Sequence, residues 1–187
     1  MSSFARRTLL KAGLGAAVMG LPALARASEL APAGIRRVAF HNLHTGESVD
    51  AVYWEKGDYV PDALSAVDKV LRDFRTGETH PMARPLLDLL TQLRARTGVD
   101  APFQVISGYR SPKTNEMLHK TSTGVAKRSL HMEGMAIDVR LPGVELAELR
   151  QAALEMKVGG VGYYPQSDFV HVDVGRVRSW TQGANAA

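Results

Sequence analysis

The sequence predicts a single α+β domain with a central antiparallel sheet and flanking helices. Three observations carry that expectation. An alternating pair of apolar runs opens the mature chain, two stretches with helical spacing follow, and short strand-like runs return after residue 100 with further helices between them. At 187 residues the chain is long enough for one domain with a real core. It shows no internal repeat and no long low-complexity tract.

Arg36 to Leu43 alternates as a strand, Thr45-Gly46 turns the chain, and Glu47 to Trp54 returns, which is the pattern of a β-hairpin. Pro61 opens a helical stretch in which Leu64, Val67, Leu71 and Phe74 recur at helical spacing, expected to end near Gly77. A second helix is expected from about Ala83 to Thr97, with Leu86, Leu87, Leu90 and Leu93 facing a core and Gly98 as its stop. Phe103 to Ser107 reads as a strand. Gly108-Tyr109-Arg110 turns, and Ser111-Pro112 supplies an N-cap and a first-turn proline for a short helix through Lys120. A polar loop from Thr121 to Arg128 follows. Met135 to Leu141 alternates as a strand, and Glu145 to Lys157 is amphipathic, with Gly159-Gly160 as its exit. Val161 to Tyr164 and Phe169 to Val174 are two more strands, and the tail 183–187 has nothing large enough to anchor it.

Charge narrows the function. The chain carries 23 Lys and Arg against 19 Asp and Glu, a formal net charge of +4. Arg6, Arg7, Lys11 and Arg26 lie in residues 1–27, which contain no acid, so the remainder holds 19 of each sign. A near-neutral domain offers no electrostatic footprint for phosphate backbones, and a nucleic-acid partner is set aside. The basic excess belongs instead to an export signal. Arg6-Arg7-Thr8-Leu9-Leu10-Lys11 resembles a twin-arginine motif, an apolar run from Ala12 to Leu24 follows, and Ala25-Arg26-Ala27 offers a small-x-small cleavage site. That run is short for a membrane span and is broken by Gly13, Gly15, Gly20 and Pro22. The expected organisation is a signal at 1–27 that engages the twin-arginine translocase, a linker at 28–34, a domain at 35–182 and a flexible tail. Cleavage would leave no stable span and place the domain in the periplasm. There is no cysteine, so a metal site must be built from His, Asp and Glu.

Two stretches offer such ligands. Ser129 to Asp138 contains His131, Glu133 and Asp138, and Asp168 to Asp173 contains His171 between two acids. His131 and Asp138 are seven residues apart with Gly134 between them, too irregular for one helix face. A loop delivering His131, a turn at Gly134 and a strand carrying Asp138 fit better. His131, Asp138 and His171 are the expected ligands of one divalent zinc-like ion. The alternative, hydrogen-bonded structural histidines, stays open on pattern alone and is the reading given to His41, His44, His80 and His119. Tyr163 and Tyr164 face the same choice between a groove lining and plain core.

Ser129-x-His131-x-x-Gly134-x-Ala136-x-Asp138 matches at every position the SxHxxGxAxD motif of D-Ala-D-Ala peptidases of the VanX and VanY type. These belong to the LAS zinc peptidases, named for lysostaphin, D-alanyl-D-alanine peptidase and sonic hedgehog. Phe103 to Ser111, Gly159 to Tyr164 and Phe169 to Trp180 also resemble the YcbK-like murein endopeptidase branch, over most of the chain from Asn42 to Trp180. The resemblance implies a hedgehog/D-Ala-D-Ala peptidase-like fold, with His131, Asp138 and His171 as ligands of Zn2+ and a water completing the set. It implies that Arg110 contacts substrate and the developing oxyanion; a turn arginine in a surface ion pair is the alternative. For the general base it points to Asp168, three residues before His171. Asp173 is second, because it shares the face of His171 on a strand, and could instead orient an imidazole. Glu133 is third. The function implied is a zinc-dependent hydrolase cutting peptide cross-links of peptidoglycan. A D-Ala-D-Ala carboxypeptidase and a non-catalytic zinc-containing binding module are the alternatives.

Overall fold

The structure is a computed structural model that describes residues 34–121 and 125–182. The expected signal at 1–27, nearly all of the linker, residues 122–124 of the polar loop and the tail 183–187 lie outside the described residues. Among the described residues no helix is long and apolar enough to cross a membrane.

The chain folds as one α+β domain around an eight-stranded sheet. In chain order the strands are β1 (Ile35–Asn42), β2 (Ser48–Glu55), β3 (Asp58–Tyr59), β4 (Phe103–Ser107), β5 (Ala136–Arg140), β6 (Gly160–Tyr164), β7 (Phe169–Asp173) and β8 (Arg178–Thr181). The helices are α1 (Pro61–Val70), α2 (Arg84–Thr97), α3 (Pro112–Thr121) and α4 (Leu146–Met156). Across the sheet the order is β3-β2-β1-β4-β5-β7-β6-β8, and most neighbours are antiparallel. The exceptions are β1 with β4 and β6 with β8, which run parallel.

Alternation along the strands separates two faces. Phe103, Val105, Ile137, Val139, Val170, Val172 and Val161 point to one side and join Leu86, Leu87, Leu90 and Leu93 of α2 and Leu149 of α4 in the core. Gly98 ends α2 in the left-handed conformation, and Pro85 sits in its first turn, where an absent N–H costs nothing.

The first helix is shorter than its spacing predicts. It stops at Val70, and Leu71 to Ala83 follows an irregular path before α2 begins. The reason is a competing set of partners. The Leu71 carbonyl accepts from the Tyr109 N–H at 2.7 Å, and Asp73 accepts from the Ser111 N–H and the Arg75 N–H, each at 2.9 Å. Burial works against the Asp73 charge, but hydrogen bonds from Thr114 and Ser111 outweigh it and lower its pKa to about 2. This segment thereby clamps the Gly108-Tyr109-Arg110 turn. A side chain on Gly108 would run into the Leu71 backbone, so only glycine permits the approach.

The exit of α4 also differs from expectation. Lys157, in the left-handed region at φ 54°, caps the helix, and Gly160 already belongs to β6. A Cβ on Gly159 would collide with the Asp173 carbonyl, so this glycine serves strand packing.

Candidate metal centre

Register builds the site. Ser107 of β4, Asp138 of β5, His171 of β7, Gly162 of β6 and Trp180 of β8 are successive cross-strand partners, one row across the sheet on the face opposite the core. An irregularity between Val105 and Ser107 brings Ser107 level with Asp138, and Arg110, three residues on, reaches Asp138 from the turn that follows. His131 arrives from outside the sheet. Residues Leu130–Glu133 form a 3-10 turn with Ser129 at its start, and Gly134 closes it at φ 63°. A Cβ on Gly134 would collide with the Pro81 carbonyl, which explains the glycine between the two expected ligands.

His131, Asp138 and His171 converge, all three buried. His131 Nε2 lies 3.2 Å from His171 Nδ1 and 3.3 Å from Asp138 Oδ1, and His171 Nδ1 lies 2.8 Å from the same oxygen. Three ligand atoms on a tetrahedral zinc ion are spaced by about 3.3 Å, so the triangle fits such an ion with little adjustment. The other ring nitrogens agree. His131 Nδ1–H donates to the Gly108 carbonyl at 2.8 Å, and His171 Nε2–H donates to Asp173 Oδ2 at 3.1 Å. Each imidazole is held in the tautomer that turns its lone pair towards the centre of the triangle.

The electrostatics belong to a metal-free pocket. Burial disfavours charge on His171, but hydrogen bonds to Asp138 and Asp173 prevail and raise its pKa to about 9. Burial dominates at His131 and lowers its pKa despite Asp138. Asp138 is held well below the carboxylate range because the two histidines outweigh its burial. Without a metal, His171 thus holds a second ring proton, on Nδ1, and sits as an imidazolium between two carboxylates, while His131 stays neutral.

Arg110 reaches the edge of this cluster, with Nη2 3.8 Å from Asp138 Oδ2. Its bonds are long, 3.4 Å to Ser107 Oγ and 3.4 Å to Asn115 Oδ1, and its buried Nε has no partner among the described residues. A guanidinium held this loosely keeps donors free for an incoming group.

The three acids considered for proton transfer fall in different places. Asp173 is fully buried on the far side of His171. It accepts from the Gly160 N–H at 2.9 Å, the Gly175 N–H at 2.8 Å and both terminal nitrogens of Arg178, at 3.2 and 2.7 Å. Asp168 occupies the β6–β7 turn at φ 54°, its side chain 60% exposed and paired with Arg140. Glu133 is exposed. Over the cluster of His131, Asp138 and His171 lies a cleft of about 250 Å³, lined in part by Arg110, Arg128, Tyr164, Phe169, Arg178 and Trp180. Asp138 is the one carboxylate among its described lining residues.

Sequence reasoning did not single out Arg178 or Trp180. The spaced glycines of Gly160-x-Gly162 were the available signal, because glycine in a strand marks a close approach. Here the approaching groups are the Arg178 guanidinium and the Trp180 indole.

Comparison with known proteins identifies the family. A family model described as peptidoglycan L,D-endopeptidase MepK matches residues 30–180. The protein named peptidoglycan L,D-endopeptidase MepK in Escherichia coli strain K12 is 43% identical over 178 residues, 94% of this chain and 96% of that protein. The Shigella flexneri protein of that name matches to the same extent. The probable peptidoglycan L,D-endopeptidase MepK of Haemophilus influenzae is 39% identical over 168 residues, 89% of each chain. The chain therefore belongs to the peptidoglycan L,D-endopeptidase MepK family, a branch of the D-Ala-D-Ala peptidase-like group of peptidases.

Proposed function

We propose that the chain is a zinc-dependent murein endopeptidase that hydrolyses an amide of a peptide cross-link between an L- and a D-configured centre. The observation that carries this reading is the triangle of His131 Nε2, Asp138 Oδ1 and His171 Nδ1, with both remaining imidazole nitrogens already satisfied. Membership of the family supports it. A zinc ion, when bound, supplies Lewis acidity and brings the pKa of a water towards neutrality.

The chain's own residues do the rest. His131, Asp138 and His171 hold the ion. Arg110, with Nη2 beside Asp138 and its buried Nε unsatisfied among the described residues, supplies positive charge where the attacked carbonyl becomes an oxyanion. Asp173 orients His171, since its carboxylate is already occupied by five donors and lies behind the ring. Asp168 is kept from the cleft by its pairing with Arg140, and acting as base would require it to exchange that partner.

Residues 1–27 are proposed as a twin-arginine signal that is removed in the periplasm, leaving residues 35–182 as the working domain. Incubation of zinc-loaded protein with cross-linked sacculi, followed by separation of the muropeptides, tests the activity. Monomeric muropeptides are expected to accumulate at the expense of dimers. Release of free D-Ala without loss of cross-links would identify a carboxypeptidase, and binding to sacculi without any product would identify a binding module.

A further inference from the structure

The cleft wall beside His171 carries a polar donor that the mechanism above does not use. Tyr164 ends β6 on the same face as Gly162, next to the row that holds Asp138 and His171. Its ring stacks on Phe169, its cross-strand partner, with centroids 4.3 Å apart. Its hydroxyl oxygen accepts the indole N–H of Trp180 at 2.9 Å. Trp180 is itself fixed: its indole lies where a Cβ on Gly162 would be, and the Arg178 guanidinium sits 5.0 Å over its ring. The phenol is thus locked by a stack on one side and a hydrogen bond on the other.

That hydrogen bond uses the oxygen as acceptor and leaves the phenolic proton to donate. No described residue accepts it. The ring lines the cleft over the His131, Asp138 and His171 cluster, and burial pushes the phenol's pKa up, which keeps the proton on its oxygen. A rigid O–H on the wall of the cleft that holds the cluster is a ready-made donor for charge that develops on a carbonyl oxygen bound there.

We infer that Tyr164 is a catalytic residue, whose O–H donates a hydrogen bond to the oxygen of the scissile carbonyl and strengthens it in the tetrahedral state. Resting on the proposed function, this adds a second oxyanion donor opposite Arg110. As water adds to the carbonyl carbon, the π pair moves to that oxygen and the water gives up a proton to solvent; when the carbonyl re-forms, the C–N bond breaks and the amine nitrogen takes up a proton in its place. The tyrosine keeps its proton throughout and forms no covalent bond. Trp180 acts as a positioning residue, by holding the phenol oxygen in place.

The test uses zinc-loaded wild type, Tyr164→Phe and Trp180→Phe. It measures kcat and KM on a purified muropeptide dimer, zinc content, and affinity for a phosphinate analogue of the same amide, which mimics the tetrahedral oxyanion. Tyr164→Phe removes one oxygen and is expected to lower kcat by about 10- to 100-fold, with KM within about twofold of wild type and zinc retained. Phosphinate affinity should fall in parallel. Trp180→Phe keeps the phenol proton and should lower kcat by less. Wild-type kcat in Tyr164→Phe, or a raised KM with kcat unchanged, would overturn the inference while leaving the peptidase reading intact. A zinc-loaded wild type that cleaves nothing would overturn both.

Discussion

At His171 one carboxylate in front and one behind fix a ring that sits between two roles. Asp138 meets Nδ1 and Asp173 meets Nε2, at 2.8 and 3.1 Å. Removing charge from the acid behind should loosen the ring without deleting a ligand. Asp173→Asn is therefore expected to weaken zinc binding by about 10- to 100-fold, read by competition with a chelating dye, whereas unchanged affinity would remove its orienting role. For Asp168, paired with Arg140 at the exposed turn, the expectation is the opposite. Asp168→Asn should leave turnover within about threefold, and a loss of a hundredfold would show that the carboxylate swings into the cleft.

The proton on His171 sets a pH signature. Its pKa is raised from 6.5 to about 9 in the metal-free protein, so zinc must displace a proton to bind. Apparent zinc affinity should rise about tenfold per pH unit from 7 to 9 and then level off. The same shift contributes stability to the stripped protein that is complete below pH 6.5 and lost as pH rises through about 9. Urea unfolding of chelator-treated protein at pH 6, 8 and 10 checks the sign.

At the scale of elements, the turn between His131 and Asp138 matters more than either strand's composition. Gly134 combines φ 63° with a Cβ position occupied by the Pro81 carbonyl. Gly134→Ala should cost at least about 1–3 kcal/mol in urea unfolding and weaken zinc binding as well, because the turn and the ligand move together. Much at this scale could be read from the sequence. The hairpin, the proline at the start of α1, the leucine stripe of α2, the Ser111-Pro112 start of α3 and the amphipathic α4 follow from local period and capping, which act within a few residues. The early end of α1 could not be read there. Leu71 and Asp73 find their partners at Tyr109 and Ser111, and nothing local signals that exchange.

Across the whole molecule, the site is a product of register. Five strands each contribute one position to the row Ser107, Asp138, His171, Gly162, Trp180, and a one-residue slip in any of them would turn its residue into the core. The motif from Ser129 to Asp138 could be recognised in the sequence because its residues are close along the chain. Arg178 and Trp180 belong to β8, a four-residue strand whose place beside β6 depends on parallel pairing, which local pattern does not reveal. The opposite face anchors that register. Leu90, fully buried in the core, should cost about 2–5 kcal/mol on replacement by Ala, with zinc affinity falling only as the folded fraction falls.

The central claim is that one metal ion on His131, Asp138 and His171 makes this fold a cross-link hydrolase. The most direct measurement strips the purified protein with a chelator, returns zinc stepwise and follows muropeptide dimer cleavage alongside bound metal. Cleavage should return in proportion to zinc and saturate at about one ion per chain in the wild type, and stay absent in folded His171→Ala at every zinc level. Cleavage that survives stripping, or that His171→Ala retains, would contradict it.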